Sequence, residues 1–97
     1  MTINEDVKKK ILEAIKTYNR FRSPEAKAIL VAIQDDKITV RFEGSFCETC
    51  GIRDWVEDLV YVLEDHGVEA ELIAYIEPPN EDNYRIGVFR IKGLITT

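Results

Sequence analysis

Residues 28–43 read AILVAIQDDKITVRFE, and this stretch decides the fold of the chain. Its first six residues are all apolar and rich in β-branched side chains, which predicts a strand covered on both faces or central in its sheet. After Asp35-Asp36, the apolar residues Ile38, Val40 and Phe42 alternate with polar ones, so the second strand turns one face to the core. Because only a short turn separates the two runs, they form an antiparallel hairpin.

Amphipathic helices are predicted on both sides of this hairpin. Apolar residues spaced three or four apart predict the first helix from about Asn4 to Arg20, and Thr2 with Glu5 is a candidate capping box at its start. The same spacing predicts the second helix from about Cys50 to His66, with Gly67 as its left-handed stop.

Two more strands complete the predicted fold. Residues 68–76 alternate, with Ile73 and Tyr75 indicating cover on the second face as well, and residues 84–92 form a last strand that charge and Gly87 place at an edge. The order helix, strand, strand, helix, strand, strand predicts one α+β domain over residues 1–97. We expect a two-layer sandwich with both helices on one face of a four-stranded mixed sheet.

Charge and composition limit the partners. The net charge of −5 argues against a duplex nucleic-acid binder, and it disfavours a nucleic-acid role for the open sheet face through Arg41, Tyr75, Tyr84 and Arg90. There is neither an apolar run of membrane-spanning length nor a signal-peptide pattern, which predicts a cytoplasmic protein without a membrane partner. A single glutamine beside abundant isoleucine, glutamate and lysine hints at a thermophilic source.

Cys47-Glu48-Thr49-Cys50 contains both cysteines of the chain, between the second strand and the second helix. The start of a helix stabilises a thiolate relative to a thiol. Nearby carboxylates oppose this effect and nearby arginines favour it, so the sequence leaves the sum open. These charged residues are Glu43, Glu48, Arg41 and Arg53.

The pair is a weak brace and an incomplete metal site. A disulfide closing so short a loop stabilises by about 2 kcal/mol at most. A zinc shell within one chain needs two more ligands, and the remaining candidate, His66, lies roughly 23 Å from Cys50 along the predicted helix. A metal held by Cys47 and Cys50 must therefore be shared between chains, which predicts a homo-oligomer.

Residues 29–76 resemble the NifU-type iron-sulfur scaffold domain, in which a hairpin ends in glycine and leads through a CxxC to a helix and another strand. Ile38-Thr39-Val40-Arg41-Phe42-Glu43-Gly44 matches the second strand and its glycine. The resemblance implies that Cys47 and Cys50 bind an iron-sulfur cluster in a dimer and deliver it to an acceptor protein. The chain departs from the family at Gly51, where proline is usual, and in its additional last strand.

Residues 42–50 also resemble the thioredoxin active-site run. This second resemblance implies a thiol-disulfide oxidoreductase with Cys47 as catalytic nucleophile, Cys50 as resolving thiol and a redox partner protein. Thioredoxin folds reach that strand through a parallel crossover, for which Asp35-Asp36 leaves no room. A third hypothesis is a non-catalytic interaction domain with structural or inert thiols. The sequence leaves open which of the three holds, and with it whether the chain is an enzyme.

Overall fold

The computed structural model describes residues 3–22, 26–44, 52–77 and 84–95, with residues 52 and 53 described by their backbone alone. The predicted order of elements is confirmed. The elements are α1 (Glu5–Arg22), β1 (Lys27–Gln34), β2 (Lys37–Glu43), α2 (Ile52–Asp65), β3 (Val68–Ile76) and β4 (Tyr84–Leu94).

The helix ends follow from single residues. Asn4 caps α1, because its Oδ1 accepts a hydrogen bond from the backbone N–H of Val7 at 2.9 Å. The capping-box prediction is wrong, since Glu5 is the first helical residue and therefore not the third, as a box with Thr2 requires. At the end of α2, Gly67 has a φ of 83°, which confirms the predicted left-handed stop.

The four strands form one sheet in the order β1-β2-β4-β3, and all neighbouring strands are antiparallel. The prediction of a mixed sheet is therefore wrong. β2 and β3 do run parallel to each other, as their connection through α2 requires, but β4 lies between them and pairs with both. This is a split β-α-β arrangement, and it arises because the strand that follows β3 turns back into the gap.

The positions predicted for β1 and β4 in the sheet are wrong. β1, with its unbroken apolar run, is an edge strand, whereas β4 is central. Gly87 in β4 has a packing role: a Cβ atom at this position would lie 2.9 Å from Val56 Cγ1 and 2.9 Å from Phe89 Cε1. The missing side chain therefore lets α2 approach the sheet closely.

The hydrophobic core lies between the two helices and one face of the sheet. Tyr18, Phe42 and Phe89 are fully buried at its centre, with the rings of Tyr18 and Phe42 in an edge-to-face contact at 5.6 Å. Polar side chains add hydrogen bonds between the elements: Tyr18 Oη of α1 donates to the carbonyl of Trp55 in α2 at 2.7 Å, and Asn19 Oδ1 of α1 accepts from Ala28 N of β1 at 2.6 Å. We call the other face of the sheet the open face.

Candidate functional site

Cys47 and Cys50, the predicted catalytic, cluster-binding and metal-binding residues, lie outside the described residues. Their flanks are described: β2 ends at Glu43, Gly44 follows with a φ of 133°, and α2 is described from Ile52 onward. The two cysteines thus stand in the connection between a strand and a helix, as the sequence predicts. That Cys50 belongs to the first turn of α2 stays a prediction.

This connection leaves from one end of the domain. Lys27 pairs with Glu43, and Glu43 pairs with Tyr84, so the start of β1, the end of β2 and the start of β4 lie side by side. Arg22, the last residue of α1, accepts a backbone hydrogen bond from Ala26 at the same end. We call the end formed by Arg22, Lys27, Glu43 and Tyr84 the thiol end.

The arginines of the thiol end are engaged with neighbours. Arg41 Nε lies 2.7 Å from Glu43 Oε2, and the Arg41 guanidinium stands 4.2 Å from the ring centroid of Tyr84. Arg22 Nη2 lies 3.2 Å from Asp58 Oδ2 and its guanidinium 4.9 Å from the Tyr18 ring. Arg41 and Glu43 therefore largely cancel each other as charges at this end.

His66 lies at the opposite end of α2 and has a structural contact. Its Nε2 is 2.9 Å from Thr17 Oγ1, a hydrogen bond that joins the end of α2 to α1. His66 comes fourteen positions after Ile52, which is about 21 Å along a helix. His66 therefore cannot share ligands with a site at the thiol end, in agreement with the sequence analysis.

The described residues contain no group of three or more histidine, cysteine, aspartate or glutamate side chains able to hold a metal ion. Cys47 and Cys50 are the two cysteines that one chain offers. They match half of the four-thiolate ligand set of an iron-sulfur cluster. That a cluster would be shared with a second chain stays a prediction.

Aromatic residues near the cysteines in sequence belong to the core. Phe42 is fully buried, and Trp55 is partly buried and packs against the same cluster. Phe46, which precedes Cys47, lies outside the described residues. The core accounts for Phe42 and Trp55 without a functional role.

The open face is a second candidate surface, which sequence reasoning considered only for nucleic acid. Arg41, Tyr84 and Arg90 do lie on it, but Tyr75 lies opposite Gly87 on the helix side, where it packs against the core. Within the described strands, Tyr84 is left as the single aromatic residue of this face. Proteins that bind single-stranded nucleic acid on an open sheet face present several aromatic rings on which bases stack. One tyrosine does not provide such a surface.

Three further cations of the open face, Lys37, Arg90 and Lys92, are also paired within the chain. Arg90 lies 3.6 Å from Asp36 and 3.7 Å from Glu71, and Lys92 lies 3.5 Å from Glu71. Lys37 Nζ donates to Asp36 Oδ1 at 3.2 Å, and this hydrogen bond is the main reason that the pKa of Asp36 is lowered. A phosphate backbone would have to displace these carboxylates to bind here.

No family model, curated protein or solved structure matches the chain. None of the helices in the described ranges is long and apolar enough to cross a membrane. The function must therefore be argued from the site itself.

Proposed function

We propose that this chain is a cytoplasmic iron-sulfur cluster carrier without enzymatic activity, in which two copies each donate Cys47 and Cys50 to one cluster. One observation carries the proposal: the CxxC segment joins the last strand of an antiparallel hairpin to a helix, at an end where the described residues add no further metal ligand. The cluster is cargo here, and the physiological partner is a protein that accepts it.

The hairpin distinguishes this function from the thioredoxin alternative. β1 and β2 are joined by Asp35-Asp36 and pair in antiparallel register, with Gln34 opposite Lys37. A thioredoxin-like strand is instead reached by a parallel crossover of a dozen or more residues. The chain before Cys47 thus supports the scaffold and argues against the oxidoreductase.

The chemistry expected of the chain is thiolate ligation. Cys47 and Cys50 lose their protons on binding iron, and the positive end of the α2 dipole lowers the free energy of the resulting charge. The Arg41–Glu43 ion pair leaves no net charge from these two residues at the thiol end, whereas Glu48 adds a carboxylate between the two cysteines.

Purification without air tests the proposal. We expect a brown protein whose absorbance, iron and sulfide content correspond to one cluster per two chains, and loss of the colour in the Cys47→Ser and Cys50→Ser variants. The matched control is His66→Ala, which removes the chain's one histidine but leaves the cluster bound. A colourless protein that does not retain iron after anaerobic reconstitution would falsify the carrier function.

The same variants separate the two alternatives. In an oxidoreductase, the Cys47 thiolate attacks a substrate disulfide and forms a mixed disulfide with it. Cys50 then attacks the Cys47 sulfur of this mixed disulfide, so that the substrate leaves as a dithiol and the chain retains a Cys47–Cys50 disulfide. Insulin reduction that depends on both thiols, in protein without iron, would therefore replace the carrier by the oxidoreductase. Unchanged stability and cellular behaviour in the double serine variant, again without iron, would indicate inert thiols.

A further inference from the structure

The open face carries an apolar band that the described residues of one chain leave uncovered. The residues that face outward across the four strands form rows, which follow from the strand register. The large row is Ile29, Arg41, Ile86 and Ile76, and the small row beside it is Ala32, Thr39, Val88 and Ala74. At the two edges of the large row, Ile29 and Ile76 are 37% and 49% exposed.

Charged residues lie at both margins of this band. The thiol-end row is Lys27, Glu43 and Tyr84, and the charged row at the other margin is Gln34, Lys37, Arg90 and Glu71. Arg41, although placed in the large row, has its guanidinium over Tyr84 and its Nε beside Glu43, so its charge is drawn toward the margin. An apolar centre with a polar rim is the anatomy of a protein interface.

The edges of the sheet are poor contact sites by comparison. β1 has an irregular register around Val31, and β3 has one around Ile73. Bulges of this kind interrupt the row of free backbone groups to which another strand would pair. The apolar residues Val31 and Ile73, 57% and 39% exposed, instead extend the apolar surface at both edges.

We propose that the open face is a self-association surface, covered by the open face of a second copy in a sheet-on-sheet dimer. The unbroken apolar run of β1 predicts a strand covered on two sides, and its own helices cover only one. Arg41, Arg90 and Lys92 of this face are already paired with carboxylates of the same chain, which suits another apolar sheet better than a polyanion. Sheets pack face to face with nearly aligned strands.

The rows select the orientation of the twofold axis. If the twofold axis lies in the interface and runs perpendicular to the strands, the large row packs on the partner's small row. The charged row then packs on the partner's thiol-end row. Lys37 then meets the partner's Glu43, and Arg90 meets the partner's Tyr84. An axis parallel to the strands would instead set Lys37 against the partner's Arg90, and like charges across an interface oppose association.

The size of the face predicts a weak dimer. Four strands at ~4.8 Å and six residue steps at ~3.3 Å give a face of about 400 Å² per copy. The total of about 800 Å² lies below the ~1,200 Å² at which stable interfaces begin. We therefore expect a dissociation constant of roughly tens to hundreds of micromolar.

Sedimentation velocity from about 10 μM to about 1 mM tests the dimer, because this range brackets the expected constant. Ile86→Glu, beside Arg41 in the centre of the band, should raise the dissociation constant by at least about tenfold. Ile76→Glu at the edge of the sheet is a second variant with less demand on folding. The matched control, Leu12→Lys on the exposed side of α1, should leave the constant unchanged.

A charge exchange tests the axis. Lys37→Glu and Glu43→Lys should each weaken the dimer, and the double variant should recover most of the affinity, because each residue then meets an opposite charge on the partner. Failure of the double variant to recover overturns the assigned orientation. A protein that stays monomeric at the highest concentration, or that binds single-stranded RNA through this face at low salt, overturns the dimer itself.

The dimer does not depend on the thiols, so its test is separate from that of the carrier function. The twofold axis places the two thiol ends at opposite ends of the dimer. Cluster-free protein with Cys47→Ser and Cys50→Ser should therefore dimerise normally, and cluster loading of the parent should add mass beyond the dimer. Dimerisation without iron retention rejects the carrier alone, and a cluster-bridged dimer with no cluster-free dimer rejects the sheet contact alone.

Discussion

Gly87→Ala is expected to destabilise the domain, even though alanine suits a strand better than glycine does. The new methyl carbon would lie 2.9 Å from Val56 Cγ1 and 2.9 Å from Phe89 Cε1, roughly 0.6 Å inside the ~3.5 Å at which carbon atoms attract best. Both neighbours are fully buried, so neither can move toward solvent. Overpacking of this kind costs about 1–3 kcal/mol.

Replacing glycine also stabilises by about 0.4–1 kcal/mol, because the unfolded chain loses freedom. We therefore expect the free energy of unfolding to fall by about 1–2 kcal/mol, measured by urea denaturation. In a domain of this size, each kcal/mol lowers the melting temperature by roughly 4–8 °C. A variant as stable as the parent would show that α2 does not pack on β4 as closely as the structure has it.

A double-mutant cycle identifies the cause of the destabilisation. Val56→Ala removes the methyl group that Gly87→Ala would meet, so the two substitutions together should cost less than the sum of their separate effects. Gly67→Ala is the matched control: it is strained by its φ of 83°, but has no atom within 4 Å of the new methyl. Its effect should add to that of Val56→Ala. Additivity of the Gly87 pair within about 0.5 kcal/mol would contradict the proposed clash.

The remaining predictions concern single polar contacts, all measured by the same denaturation. Tyr18→Phe removes the hydrogen bond to the Trp55 carbonyl and should cost about 1 kcal/mol. Burial raises the pKa of Tyr18 above its ordinary 10.0, so the unfolded chain ionises first as the pH rises. Stability should therefore be lost above about pH 10, by up to about 1.4 kcal/mol per pH unit from this group, and an equally steep loss in Tyr18→Phe would contradict the assignment. Asn19→Ala leaves the backbone N–H and carbonyl of buried Ala28 without their partner and should cost about 2 kcal/mol, with Asn19→Asp, which keeps one acceptor, in between. Asn4→Ala removes the cap of α1 and should cost about 1 kcal/mol, whereas Asn4→Ser should be near neutral.

The two candidate surfaces differ in how far apart their residues lie along the chain. Cys47 and Cys50 are three positions apart, so the sequence alone shows that they are neighbours and predicts their place between a strand and a helix. The apolar band cannot, because Ile29, Ile76 and Ile86 come from three separate strands and become neighbours only through the sheet register. The sequence shows that these residues are apolar, but not that they share a face.

The sequence by itself determined the local structure of this protein: two helices, the hairpin around Asp35-Asp36 and the left-handed stop at Gly67. These features depend on residues that are close along the chain, where periodicity and backbone preference are sufficient. Only the tertiary structure decided that β4 lies between β2 and β3 and that β1 is an edge. Apolar residues indicate that a strand is covered, but not which element covers it, so the sequence of β1 predicts a central strand. Gly87 likewise suggests an edge strand, and only the close packing of α2 on β4 shows why a glycine stands in a central one.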